Sequence, residues 1–475
     1  MSWMKYLQDA VQLSVTCRVF AAFNANVDVI IKVTPQSIAR ILDQEPRLSQ
    51  KIQQNQVHDS PIASPEAFLR VLKECLSTGK SYYDVVDLEM GGWFEEYFPE
   101  RTEAMGGQAG IIANQMAALG APTFVYNSIL SERQAAIYNP QIQFPTTIHN
   151  RLHWVPIQAG INDSWTKINF IFEYPQGSTY TFGDYTVTTP RANRIILGTR
   201  SPKAAMAFSD ALIPILPQIG ACVDCGFMAG YHHGPIVGRN HSLEEYIELS
   251  VSQRDRLRLK NPNLRLHYEY VPMRDVKDER RLLERLLPGF ESFGINENEI
   301  RRVLACLGYD GEANEISHHE RAISLYIGAL ALLRQFRIPR IQVHNLGYYI
   351  VVLAKPYPVP PEDVRQACLF ASAVNGVKAR QGGAVPKGDV ARMAAVGLSE
   401  IGYSQLDQFA EEARSLGYPV PSDFKETGIM EWDDHHLLLV PAHVVPEPVS
   451  TVGMGDTISS SAFAAEVSSF REGRN

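Results

Sequence analysis

The chain has 475 residues, 45% apolar and 20% charged, with a formal net charge of −8. Length predicts two or more domains at roughly 150 residues each, and the composition is that of an ordinary globular protein. No long basic run is present, which argues against non-specific nucleic-acid binding while leaving room for a local basic pocket. Six cysteines do not make a disulfide scaffold, and no window of 18 consecutive apolar residues offers a membrane span. The first residues, "MSWMKYLQDAVQLS", are polar and amphipathic and lack a secretory h-region, so a cytoplasmic protein is expected.

In chain order, "CRVFAAFNANVDVII" predicts a buried strand that ends in polar residues. "GGQAGIIANQMAALGAPTFVYNSIL" predicts turn, helix, turn and strand. "LPQIGACVDCGFMAGYH" predicts a helix end, a strand and a loop, with Cys222 and Cys225 as strand residues; no second pair stands at zinc spacing. "NLRLHYEYV" is a strand, and "ERRLLERLLPGF" and "ERAISLYIGALALLRQF" are helices by their 3.6-residue periodicity. "RIQVHNLGYYIVVLA" carries strand signals with Gly347 at a bend, "VRQACLFASAVNGVKARQG" is a helix, and "HHLLLVPAHVV" is a strand. Strands alternating with helices predict an α/β fold with a mostly parallel sheet covered on both faces.

Two stretches break this rhythm. Residues from about 30 to 104 show no βα repeat, and "KINFIFEYPQGSTYTFGDYTV" followed by "RANRIILGTR" predicts a β-hairpin meander turning at Pro-Gln-Gly. A smaller domain of residues 29–104 and 165–200 is therefore expected, inserted into a large domain of residues 1–28, 105–164 and 201–475.

Five groups of residues suggest chemistry. In "STVGMGDTISSSAF", Gly453 and Gly455 allow close backbone approach, and Asp456 stands at the first turn of a helix, where free N–H groups favour an anion. An N-cap role for Asp456 is the structural alternative. In "FNANVDVI", Asn24, Asn26 and Asp28 alternate along a strand end, a row suited to sugar hydroxyls. In "MGGQAGI", Gly107 and Gln108 open a helix. His267 and Glu269 share one face of a strand, and Asn296 and Glu299 one face of a helix; their oxygen ligands suit Mg²⁺. Lys167, Arg191, Arg194 and Arg200 fall in a segment with few acids, and arginine forks match phosphate oxygens. Together these describe phosphoryl transfer, without a P-loop or the protein-kinase signatures.

"NANVD", "GGQAGI", "HYE", "NENE" and "STVGMGDTISS" occur in the order and spacing of the archaeal ADP-dependent sugar kinases, the glucokinase and phosphofructokinase group of the ribokinase-like superfamily. The chain resembles that family over nearly its whole length, and "KINFIFEY", "VDCGFMAGYH" and "VHNLGYYI" add to the resemblance. The resemblance implies a Rossmann-type α/β large domain with a smaller β-rich lid that closes on substrate. It implies ADP as phosphoryl donor, AMP as product, and Mg²⁺ or another divalent cation. Asp456 would be the catalytic base, and the amides of Gly453, Met454 and Gly455 the anion hole. Glu269 and Glu299, beside Asp456, would hold the metal mainly through water. Asn296 would approach the ADP phosphates, with His344, Val445 and Gly455 near the nucleotide. Asn26, Asp28, Gly107 and Gln108 would bind the sugar.

Family members that use glucose carry a lid glutamate after a "TGK"-like stretch. Here "STGKSYYDVVDLE" places Tyr82, Tyr83 and Asp84 in that region, with Glu89 following. Lys167, Asn169, Arg194 and Arg200 give phosphate-binding capacity, Arg200 serving either ADP or the sugar phosphate. The expected reaction is therefore transfer of the β-phosphoryl of ADP to the C1 hydroxyl of fructose 6-phosphate. The alternatives are an ADP-dependent glucokinase, a bifunctional enzyme, and a non-catalytic sugar- or nucleotide-binding regulator. A monomer without nucleic-acid or membrane partners is expected.

Overall fold

Two sheets and a two-stranded ribbon carry the fold in the computed structural model, which describes residues 2–52, 62–199, 203–234 and 242–472. The larger sheet has eleven strands. Its middle is parallel and runs through Arg340–Asn345, Ser292–Asn296, Arg265–Glu269, Cys225–Ala229, Val19–Phe23, Thr123–Tyr126 and Gln143–Ile148. Antiparallel strands close both edges: Tyr348–Ala354, His435–Pro441 and Ile429–Trp432 on one side, Arg151–Pro156 on the other. The central strands are apolar runs buried on both faces, as helices on the two sides require. The helices Gln108–Ala118, Pro361–Gln381 and Met454–Glu472 pack together, the last lying on the central strands. The hairpin at "HNLGYY" turns where expected, with Gly347 at φ +85°.

The smaller sheet orders its five strands Tyr82–Val86, Asn193–Thr199, Ile168–Tyr174, Asn26–Lys32 and Arg101–Gly106. Side chains alternate across it. Val27, Val29, Phe170, Phe172, Ile195 and Leu197 join Phe68, Phe94 and Phe98 in a second apolar core beneath the helices Pro65–Thr78 and Leu88–Tyr97. Asp28, Asn169, Ile171, Arg194 and Ile196, from the same strands, point the other way and line a cavity.

Two expectations need correction. Asn24, Asn26 and Asp28 do not share a strand end. One strand stops at Phe23 in the large sheet, and the next begins at Asn26 in the small one. Alternating polarity cannot reveal that the chain changes sheets. Nor does the Pro-Gln-Gly turn make a hairpin with the strand before it. Ile168–Tyr174 pairs with Asn193–Thr199 and Asn26–Lys32, whereas Thr179–Phe182 pairs with Tyr185–Thr188 as the separate ribbon. Gly177 at φ +77° carries the chain out of the sheet.

The path passes between the sheets at residues 24–25, at Gly107 and at residues 162–167, and leaves the small sheet after Thr199. Among the described residues, no helix is long and apolar enough to cross a membrane.

Candidate active site

The helix Met454–Glu472 begins directly after Gly453, which stands at φ +65°. Space enforces the glycines as well as torsion. A Cβ on Gly453 would lie 2.7 Å from Ile111 Cδ1, and one on Gly455 would lie 2.9 Å from His344 Nε2. Asp456 is not an N-cap; it stands within the first turn, where amide N–H groups lack intrahelical partners, and it lines a cavity of about 890 Å³. The Asp456 carboxyl is pushed up from its ordinary 3.8 to about 8. Desolvation is the main cause, the charges of Glu269 and Asp28 add to it, and the Lys378 ammonium opposes it.

The facing wall belongs to the crossings and the small sheet. Asn24 Nδ2 donates to Gln108 Oε1 at 2.6 Å, and Lys167 Nζ donates to Asn24 Oδ1. Asn26 and Asn169 both donate to Asp28 Oδ1, at 2.6 and 3.3 Å. Asp28 is 3% exposed, and burial pushes it up to about 6 against those hydrogen bonds and the charge of Lys167. Gly106 makes room for it, since a Cβ there would fall 2.1 Å from Asp28 Oδ1. Gly107, at φ +72°, leaves the sheet into the helix that starts at Gln108. Across the cleft, Arg194 Nη1 donates to Thr451 Oγ1 at 3.3 Å, joining the small sheet to the Gly453 loop.

Behind Asp456 stand two further carboxylates. Glu269 lies at the end of its strand, 5% exposed, with Oε2 2.8 Å from His267 Nε2 and Oε1 accepting from Ser459 at 3.4 Å. His267 Nδ1 lies 2.8 Å from Ser292 Oγ; burial holds this imidazole well below 6.5. Ser292 in turn accepts from Arg340, which pairs with Glu466 at 2.8 Å, both fully buried. Burial pushes Glu269 and Glu299 up to about 8, and Glu299 also feels the charges of Glu269 and Asp456. Among the described residues, no group of three His, Cys, Asp or Glu is arranged to ligate a metal directly.

The structure thus gathers Asn24, Asn26, Asp28, Gly107, Gln108, Lys167, Asn169, Arg194, Gly453 and Asp456 around one cavity. Met454 and Gly455 adjoin it in the helix turn. Asn296, Glu299, Glu269, His344 and Val445 are not on its wall. Asn296 and His344 are register partners on adjacent strands, and the His344 ring packs on Gly455, its Nδ1 without a hydrogen-bond partner among the described residues. Asn296 precedes its helix rather than sharing a helical face with Glu299. It is the N-cap of Glu297–Leu307, and the two close a capping box, Asn296 Oδ1 accepting from the Glu299 amide at 2.9 Å and Glu299 Oε2 from the Asn296 amide at 2.9 Å. Arg191 leaves the basic group, since its guanidinium holds the Gly79 carbonyl. Arg200 lies outside the described residues.

Sequence reasoning missed three residues. His232 and His233 enter the cavity from the loop after Cys225–Ala229, His233 Nε2 lying 3.3 Å from Lys167 Nζ. They form the tail of "FMAGYHH", and a polar pair after a strand and glycine was the available signal. Lys378, buried in Pro361–Gln381 and close enough to act on Asp456, had no signal. Tyr82 and Asp84 line the cavity with the Tyr82 hydroxyl 2.8 Å from Asp84 Oδ2, whereas Glu89 does not reach it.

A helix start with free amide N–H groups, facing amides, a lysine and an arginine across a cleft on this α/β fold, has the make-up of a phosphotransferase of the small-molecule kinase class. The profile described as "ADP-specific Phosphofructokinase/Glucokinase conserved region" matches residues 17–465, so the chain belongs to that family. It is similar to the ADP-specific phosphofructokinase of Pyrococcus furiosus, 27% identical over 95% of this chain and 97% of the relative. Likeness to the ADP-dependent glucose/glucosamine kinase of the same organism is also 27% but covers 77% of this chain and 75% of that one. A solved ADP-dependent kinase complex with fructose 6-phosphate and ADPβS superposes with a TM-score of 0.84 at 29% identity, covering 99% of both chains.

Proposed function

We propose that the protein is an ADP-dependent 6-phosphofructokinase, which transfers the β-phosphoryl of ADP to the C1 hydroxyl of fructose 6-phosphate and releases AMP and fructose 1,6-bisphosphate. One observation carries the reading: Lys167 and Arg194 share a single cavity with Asp456 and the Gly453 turn. A sugar phosphate needs cations at one end and a proton acceptor and anion hole at the other. The relative solved with fructose 6-phosphate supports this pairing of ligands, and the shorter match to the glucose/glucosamine kinase favours it over the glucokinase reading.

In this reading Asn24, Asn26, Asp28 and Gln108 bind and orient the sugar hydroxyls. Lys167 and Arg194, with Asn169 and Arg200, hold its phosphate. Asp456 accepts the proton of the attacking hydroxyl, and a group pushed up to about 8 is well matched to that task near neutral pH. The amides of Gly453, Met454 and Gly455 stabilise the charge of the transferring phosphoryl group. Asn296 keeps its Nδ2 for a phosphate oxygen while Oδ1 caps the helix. His344 and Val445 neighbour the nucleotide.

Glu269, Glu299 and Asp456 fit a hard divalent cation. Each is a carboxylate raised to about 8 by burial, and Glu269 adds to the repulsion at the other two, a surplus of negative charge that a cation would relieve. The lack of a direct three-ligand cluster suits Mg²⁺, which keeps several waters, or another divalent ion held through them. When bound, such an ion would neutralise phosphate charge.

Residues 1–28, 105–164 and 201–475 act as the catalytic domain and 29–104 with 165–200 as a lid. The enzyme works as a cytoplasmic monomer. AMP formation from Mg·ADP with fructose 6-phosphate and with glucose, side by side, tests the reading. Strong turnover of the first and little of the second is expected. Comparable turnover of glucose would transfer the reading to a bifunctional enzyme or glucokinase, with Asp84 in the role of the absent lid glutamate. AMP release undiminished in Asp456→Ala would remove the proposed base.

A further inference from the structure

The catalytic cleft gathers at the C-terminal ends of the parallel strands, where Asn24, the His232–His233 loop and Glu269 stand. At the opposite, N-terminal ends lies a second cavity of about 360 Å³, walled by Arg18, Lys260, Arg265, Arg471, Asp224 and Asn261 among others. Four cations there meet one carboxylate, on a chain whose net charge is −8. Asp224 is already engaged: Arg18 and Arg471 each approach it at 2.8 Å. Glu291, whose charge also reaches Arg265, is held by Arg258 and by the Leu266 amide.

Arg265 is the unusual member. It is 6% exposed, its guanidinium lies over Tyr357, Phe463 and Phe470 at 5.1–6.0 Å, and Nη2 donates to the Tyr357 hydroxyl at 3.0 Å. Its Nε is buried and has no hydrogen-bond partner among the described residues. A buried, charged donor left unsatisfied is costly and marks a place where a ligand would be stabilising. Arg18 closes its fork on Asp224 through Nε and Nη2 and Arg471 reaches the same carboxylate through Nη1, so Lys260, Arg265 and the outer edges of those two guanidiniums are what the pocket offers the oxygens of a phosphate dianion.

We propose that this cavity binds a phosphate group, free or esterified to a small metabolite, separately from the catalytic cleft. The test titrates the full chain with inorganic phosphate and with glycerol phosphate at constant ionic strength. Lys260→Glu with Arg471→Glu reverses two charges on the cavity rim, and Arg194→Glu reverses one in the cleft. We expect two classes of phosphate binding in the native protein. The rim variant should lose one class at least tenfold while its far-ultraviolet dichroism and its AMP-forming kcat stay unchanged, its melt falling somewhat with the loss of the Arg471–Asp224 pair; the cleft variant should lose the other. Tighter rim-dependent binding of glycerol phosphate assigns an ester, and equal binding assigns the free ion. If the rim variant binds both ligands as the native protein does, and Arg194→Glu alone removes binding, the second site does not exist. This outcome is independent of which sugar the cleft phosphorylates.

Discussion

Asp456 stands within the first turn of its helix and lines the cavity, so the N-cap reading that the two glycines and the carboxylate equally allowed does not hold. The surroundings that set its proton affinity were not legible. Glu269 arrives from 187 positions earlier in the chain (456 minus 269), and Lys378 from the middle of a helix without any motif. Raising a carboxyl above its unfolded value stabilises the fold below that value and loses the benefit as pH rises through about 8. Asp456→Asn should therefore lower kcat by roughly 10²–10⁴-fold, the usual worth of a positioned base, without lowering the melting temperature at pH 8. A parallel loss of melting temperature would assign the residue to the fold. At Gly453 both torsion and the 2.7 Å approach to Ile111 resist a methyl group. If the amides of Gly453, Met454 and Gly455 form the proposed anion hole, Gly453→Ala should displace them and reduce kcat about 10²-fold, with far-ultraviolet dichroism unchanged.

Among the elements, long periodic helices and buried strands were legible, because apolar spacing is local information. Pairing was not: the antiparallel edges of the large sheet and the detached ribbon at Thr179–Thr188 depend on partners far along the chain. The capping box at Glu297–Leu307 shows the same limit, since "NENE" reads equally well as a metal motif and as a helix start. Asn296→Ala should cost about 1 kcal/mol of stability by urea unfolding. A loss of activity far beyond that, at full folding, would support a phosphate contact. Just after the strand His435–Pro441, His443 Nδ1 lies 2.8 Å from Ser372 Oγ, and its Nε2 lies 3.3 Å from the Val396 carbonyl. Burial, with Arg380 nearby, lowers this imidazole from 6.5 to about 4. The unfolded chain therefore takes up the proton first, so stability present above pH 6.5 is lost as pH falls towards 4. The urea midpoint should drop between pH 7 and 5, and less so in His443→Gln; equal drops would place the titration elsewhere.

For the molecule as a whole, the two cores sit on separate sheets, and among the described residues the crossings, the cleft contacts and the ion pairs of Arg133 with Glu95 and Glu103 join them. Arg194 to Thr451 is one such contact, and ligands between the sheets would add more. ADP with fructose 6-phosphate should reduce the radius of gyration in small-angle scattering, and Arg194→Ala should raise KM for the sugar phosphate about tenfold with a smaller change in kcat, as losing one charge-assisted contact implies. Unchanged scattering with both ligands would make the cleft rigid.

The crossings have a consequence for modularity. Asn24, Asn26, Gly107, Gln108 and Lys167 stand on or beside the segments that pass between the sheets. The small sheet therefore cannot be cut out, or exchanged for that of a relative, as a self-contained cassette. Any splice point would fall among the cavity-lining residues. Changing the preferred sugar by recombination would require inheriting these junctions together with the sheet they lead into.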